Sequence, residues 1–118
     1  MSDMIWNTKL ISSPFHSNLE VAGELIIKLH APYSNDEVTV KINPNITEYR
    51  DDKGKNIRQL SISRDTDETK TLQFNLKNNN VQRINFRNKD YQIKLMSISK
   101  IKEEGQDFPC FEFLVEQL

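Results

Sequence analysis

The chain has 118 residues, a net charge of −1 at pH 7 and one cysteine. The length predicts a single domain over residues 1–118. The charge excludes a global attraction to nucleic acid or membrane, and a lone thiol excludes an internal disulfide. Because the N-terminus has no signal-peptide pattern and no stretch is long enough for a transmembrane helix, a cytoplasmic location is expected.

In chain order, residues 4–11 predict a short edge strand and residues 19–31 a long strand. Within residues 19–31, apolar residues occupy alternate positions. This spacing lines one face of a strand but would scatter the apolar residues around a helix. Gly23 interrupts this run and predicts a bend or bulge, where the chain could pass between two sheets. Residues 38–42 predict the next strand, which Asn43-Pro44-Asn45 is expected to end.

Residues 46–50 and 57–64 predict two strands around a loop that contains Gly54, whose backbone tolerates a positive φ. Residues 72–76 alternate between apolar and polar and predict another strand.

The segment 81–101 predicts a β-hairpin, because apolar and polar residues alternate in both arms. The polar cluster 88–90 is the expected turn. A charged connection at 100–107 then leads to a last strand at 110–118, which we expect to lie at a sheet edge.

About eight strands with turn signals between them, and no helical period, predict an all-β protein. We expect an antiparallel two-sheet β-sandwich, Ig-like or jelly-roll-like, without a substantial helix. A small β-barrel is the alternative, and it is disfavoured because three glycines are few for repeated barrel corners.

The sequence shows no catalytic, metal or cofactor motif. Cys110 is the only thiol and His16 and His30 are the only imidazoles, and Cys110 lies among phenylalanines, as a small buried residue would. The acidic loop 65–68 lacks the glycine and distal glutamate of a calcium loop. We therefore expect no cofactor, no metal and no enzymatic activity.

Charge is unevenly distributed along the second half of the chain. Eight basic residues and one acidic residue lie in 70–102, and five acidic residues lie in 103–118. Alternation places Arg83, Arg87 and Lys94 on the polar face of the hairpin, although the acidic last strand could neutralise them. Because such groups bind phosphate oxygens and base edges, nucleic-acid or polyanion binding is the alternative function. The basic residues considered for it are Arg58, Arg83, Arg87, Lys89 and Lys94.

The first functional hypothesis is a non-catalytic protein-interaction module or accessory subunit. Leu114 and Leu118 have the outward parity of the last strand, and with Trp6 they could form an exposed apolar patch. The expected partner is another protein or a second copy, bound through a sheet edge and this patch, with no membrane involved.

Overall fold

The computed structural model describes residues 4–13, 18–30, 33–52, 56–63 and 68–118, without the side chains of 46–52 and 56–63. Within these ranges no segment forms a helix that could cross a membrane. The described residues form nine β-strands. In chain order they are β1 (Ile5–Ile11), β2 (Asn18–Val21), β3 (Leu25–His30), β4 (Glu37–Asp52), β5 (Asn56–Ser63), β6 (Lys70–Asn75), β7 (Val81–Phe86), β8 (Lys89–Glu103) and β9 (Gln106–Gln117).

The strands form two antiparallel sheets. The front sheet has the order β1-β9-β8-β7, and the back sheet has the order β2-β3-β4, with β5 and β6 pairing with different halves of β4. Between the sheets, the rings of Phe74 and Phe113 meet edge to face at a centroid distance of 5.4 Å. This architecture confirms the predicted all-β two-sheet sandwich, and in the described residues the two sheets remain separate rather than closing into a barrel.

The core is built from alternate positions of the strands, as the sequence pattern predicts. Each buried side chain of this kind stabilises the fold by roughly 1.5–3 kcal/mol relative to exposure. The buried alternating residues are Val21, Leu25, Ile27, Val38, Val40, Ile42, Leu72, Phe74, Ile84, Phe86, Tyr91, Ile93, Leu95, Phe111, Phe113 and Val115.

The predicted long strand at 19–31 is two strands, β2 and β3, joined by a tight turn. Ala22 and Gly23 have φ values of +50° and +69°, and the Glu24 N–H donates to the Val21 carbonyl at 3.0 Å. Two consecutive positive φ values are typical of the type I′ turn, whose twist matches that of the paired strands. The expected passage between sheets is therefore wrong, and this hairpin raises the strand count to nine.

Strand β4 continues through Asn43-Pro44-Asn45, where the sequence predicted its end. The Asn45 N–H donates to the Glu24 carbonyl at 3.1 Å, so the nitrogen of Pro44 faces the opposite side of the strand. On that side, pairing with β6 ends at Ile42 and pairing with β5 begins at Asn45. Pro44 is tolerated because its missing N–H falls in the gap between these two partners.

Two further turns differ from the sequence prediction. The turn of the 81–101 hairpin lies at Arg87 and Asn88, with φ values of +52° and +65°, one residue earlier than expected. The predicted charged connection at 100–107 is mostly strand, because β8 and β9 extend to a two-residue turn at Glu104 and Gly105. The β2–β3, β7–β8 and β8–β9 hairpins therefore each have the two-residue loop that antiparallel twist favours.

The last strand is not an edge strand. β9 pairs with β8 on one side and with all seven residues of β1 on the other, from Ile5 opposite Glu116 to Ile11 opposite Cys110. The prediction that β9 forms an edge is therefore wrong, whereas the prediction for β1 is confirmed. β9 is therefore an inner strand of the front sheet, because β1 pairs with the side of β9 that faces away from β8.

Candidate interaction edge on strand β1

The open side of β1 presents unpaired peptide groups. The Gln117 N–H donates to the Met4 carbonyl at 2.9 Å, and the Ser12 N–H donates to the Pro109 carbonyl at 3.0 Å. Peptide groups of alternate residues point to opposite sides of a strand, so the even-numbered residues of β1 face β9. The residues whose N–H and C=O groups face the open side are Ile5, Asn7, Lys9 and Ile11. In the part of the chain that the structure describes, nothing bonds these groups.

β1 also has few of the features that usually protect an edge strand. It contains no proline or glycine, its register with β9 runs without a bulge, and Lys9 is its only charged residue. The other front-sheet edge, β7, differs, because the Gln82 side chain donates to the Gln73 carbonyl of β6. The back-sheet edge β2 has only four residues. β1 is thus the longest regular edge among these three.

Trp6 lies on the inner face of the front sheet. It is paired with Val115, and directly opposite residues direct their side chains to the same face. Val115 is fully buried, and Trp6 packs against the same core while remaining partly exposed. A new strand beside β1 would therefore cover the exposed part of the indole.

Leu114 lies on the outer face, opposite Asn7 of β1 and Lys94 of β8. Leu118 follows with the same parity and is 42% exposed. The structure therefore does not bring Trp6 together with Leu114 and Leu118, and the single apolar patch expected from the sequence is wrong. The reason is register, because β1 pairs Trp6 with an inward residue of β9.

On the outer face, the basic residues of the hairpin are mixed with acidic and amide groups. The Arg83 Nε donates to the Gln92 side chain at 3.2 Å, and Gln92 is paired with Glu116 of β9. Lys94 lies one outer-face position along from Gln92. The expected alternation of Arg83 and Lys94 on this face is confirmed, and so is the acidic strand beside them.

The remaining basic residues lie elsewhere. Lys89 Nζ lies 2.7 Å from a Glu24 carboxylate oxygen, and Arg87 Nε lies 3.5 Å from Glu68. The side chain of Arg58 lies outside the described part of the chain. The four basic residues that the structure describes do not form one cluster. Arg83 and Lys94 lie on the outer face, Arg87 lies at the β7–β8 turn, and Lys89 is paired with Glu24. Polyanion binding therefore stays a prediction, and this geometry does not favour it.

One end of the sandwich contains a cleft of about 280 Å³. It lies where the β2–β3 turn of the back sheet meets the β7–β8 turn of the front sheet. Its lining residues are Gly23, Glu24, Asn45, Phe86, Arg87, Lys89 and Tyr91.

Glu24 connects the two sheets in this cleft. Its carboxylate accepts hydrogen bonds from Lys89 Nζ and from the Tyr91 hydroxyl. The bond from Lys89, followed by the bond from Tyr91, holds the pKa of the Glu24 carboxyl below its ordinary value. Burial, together with the nearby carboxylate, raises the pKa of the Tyr91 hydroxyl. A carboxylate that is paired and easily ionised is suited to holding two turns together and poorly suited to accepting a proton at neutral pH.

The amide of Asn45 reinforces the same junction. Its Nδ2 donates to the Gly23 carbonyl at 3.0 Å, and the side chain is 8% exposed. Together with the backbone bond from Asn45 to Glu24, this fixes the β2–β3 turn against β4. Most hydrogen bonds of the cleft therefore join its own lining residues, as in a structural junction, whereas the buried Oδ1 of Asn45 accepts none among the described residues.

Among the described residues, those considered for catalysis do not come together. Cys110 is a free thiol and is buried, as the sequence predicts, whereas His30 is exposed at the end of β3. His16 and residues 65–67 of the acidic loop lie outside the described residues. Among the residues that are described, no three His, Cys, Asp or Glu side chains converge in a way that could hold a metal ion.

Comparisons of this chain with protein-family models, curated proteins and solved structures find no match. Two features of the site could not be predicted from the sequence. The pairing of β1 with β9 decides which peptide groups of β1 are open, whereas the sequence of β1 indicates only that alternate residues face opposite sides. The junction of Glu24 with Tyr91 joins residues 67 positions apart, and no local pattern indicates such a contact.

Proposed function

We propose that this chain is a non-catalytic protein-interaction module that binds a partner by strand addition at β1. In this binding mode a segment of the partner in an extended conformation adds a strand to an exposed sheet edge, and main-chain hydrogen bonds provide much of the affinity. The observation that carries the proposal is the open row of N–H and C=O groups of four residues on an edge strand whose only charged residue is Lys9. Partly exposed Trp6 and Ile5, which is 59% exposed, offer apolar contacts to the added strand.

Asn7 supplies one of the peptide groups that would bind the added strand. The N–H of Asn7 faces the open side, so Asn7→Pro removes one donor to an added strand without removing a bond to β9. Asn7→Ala loses the same side chain but keeps the N–H, and it is the matched control. Both variants are expected to remain folded, because proline is accepted on the open side of an edge strand.

The test is capture from lysate of the native source by tagged wild type and both variants, with and without nuclease. A partner recovered by wild type and Asn7→Ala, lost with Asn7→Pro and insensitive to nuclease supports strand addition. Equal recovery by Asn7→Pro would place binding elsewhere on the molecule. Loss after nuclease treatment would favour the basic residues of the hairpin instead.

A further inference from the structure

The sequence of β1 is symmetric in chemical character about its central residue. It reads Ile-Trp-Asn-Thr-Lys-Leu-Ile from Ile5 to Ile11. Two apolar residues and one polar residue precede Thr8, and one polar residue and two apolar residues follow it. An edge strand with such a pattern is suited to pair with a copy of itself, because a two-fold axis reverses the strand direction. We infer that the partner at β1 is a second copy of this chain, paired antiparallel about Thr8. This inference rests on the proposed strand addition at β1.

The backbone supports this register over its neighbour. With the axis at Thr8, Ile5 pairs with Ile11 of the second copy and Asn7 pairs with Lys9 of the second copy. All four open residues of each copy then form hydrogen-bonded pairs, because all four direct their peptide groups outward. With the axis at Asn7, Ile11 would have no partner within β1 and Ile5 would face Lys9.

The side chains of the Thr8-centred register are compatible as well. Isoleucine faces isoleucine at both ends of the pair, and threonine faces threonine at the centre, which are favourable cross-strand combinations. Lys9 faces an asparagine rather than the other Lys9, so like charges are not directly opposed. Within its own sheet, Lys9 is paired with Glu112, whose charge partly balances the two lysines near the axis.

The inferred dimer has a defined architecture and a limited strength. The two four-stranded front sheets would join through β1 into one continuous sheet. A contact of one short strand pair is at the small end of specific interfaces. We therefore expect a dimer that dissociates reversibly, with a Kd on the order of micromolar or weaker.

Sedimentation of the purified chain over a wide concentration range tests the association. The mass is expected to rise from 13.8 kDa towards twice that value for wild type and Asn7→Ala. Asn7→Pro removes one bond per copy, two per dimer, and should raise the Kd by about tenfold or more. A constant monomer mass up to about millimolar wild-type protein would overturn the inference.

Two variants that each add one cysteine to the native Cys110 test the register. Thr8 of each copy would form a non-hydrogen-bonded pair with a Cα separation of about 4.5 Å, within the range of a disulfide. The two Asn7 residues would be diagonal neighbours about 7 Å apart or more, beyond that range. Mild oxidation should therefore cross-link Thr8→Cys efficiently and Asn7→Cys poorly, while wild type, with Cys110 buried, stays monomeric on a denaturing gel.

The results separate this inference from the proposed function. Equal or stronger cross-linking of Asn7→Cys would overturn the Thr8-centred pairing. A monomeric pure protein that still captures a different protein, with loss in Asn7→Pro, would overturn the second copy as partner but retain strand addition at β1. If Asn7→Pro dimerises as well as wild type and also captures every partner that wild type captures, both the inference and the proposed function are overturned.

Discussion

The hydroxyl of Tyr91 donates a hydrogen bond to the carboxylate of Glu24, although the two residues are 67 positions apart in the chain. Glu24 follows a turn of the back sheet, and Tyr91 lies near the start of β8 in the front sheet. Lys89 binds the other carboxylate oxygen at 2.7 Å. One acidic side chain therefore connects the ends of two hairpins across the sandwich.

Glu24→Gln is expected to reduce stability at neutral pH by up to about 1 kcal/mol, since the ion pair is partly exposed to solvent. The pKa of Glu24 is lower in the folded chain, so its contribution is present above the ordinary carboxyl pKa of 4.5 and is lost as pH falls through the lowered value. Urea unfolding at about pH 7 and about pH 3 should thus show a difference between wild type and Glu24→Gln that shrinks on acidification.

Glu20→Gln is the matched control for this experiment. Glu20 lies on β2 of the same hairpin and is exposed, and the described residues provide it with no ion pair. Its substitution should have little effect at either pH. If the two variants behave alike, the junction does not stabilise the fold.

Tyr91→Phe should lower the free energy of unfolding by about 1–2 kcal/mol, because it removes a hydrogen bond to a charged group from a side chain that is 2% exposed. Tyr33→Phe is the control, since that residue is 39% exposed and contacts Phe111 through its ring. Thermal unfolding measures both. No difference between the two variants would contradict the importance of the Tyr91 hydroxyl.

The raised pKa of Tyr91 adds a prediction at high pH. Because the folded chain retains this proton more strongly, the hydroxyl's contribution is present below the ordinary tyrosine pKa of 10.0 and is lost as pH rises above it. The stability difference between wild type and Tyr91→Phe should therefore decrease in alkaline urea titrations. A difference that grows with pH would show that the pKa of Tyr91 is not raised in the folded chain.

Ala22→Asn is expected to stabilise the chain by about 0.5–1 kcal/mol. Ala22 has a φ of +50° at an exposed turn position, where Asn followed by glycine is the preferred pair for a type I′ turn. Ala22→Val tests the same position in the opposite direction, because a β-branched residue strongly resists positive φ. Chemical denaturation of the three proteins should rank them Asn, Ala, Val.

Leu114→Glu distinguishes binding at the sheet edge from binding at the sheet face. Leu114 lies on the outer face one strand inside β1, so strand addition predicts that this change leaves association unaltered. An interface on the outer face predicts weaker association instead. Sedimentation of Leu114→Glu beside wild type measures the difference, and circular dichroism checks that both are folded.

The alternation of apolar and polar residues along the chain determines much of this fold. The inward positions of Val38, Phe74, Ile84 and Phe113 follow from the two-residue period of a strand, which is a local property of the backbone. The sandwich class follows from the number of such segments and the absence of a helical period. The sequence therefore predicts which side chains form the core.

The tertiary structure alone decided which strands are neighbours. Alternation does not specify a pairing partner, because hydrogen bonding between strands is non-local and every strand presents the same backbone groups. Pro44 could be accommodated only because two partners of β4 leave a gap beside it, and Trp6 faces inward only because β1 pairs with β9 in one register. The open edge at β1, on which the proposed function rests, exists because the last strand lies between β1 and β8.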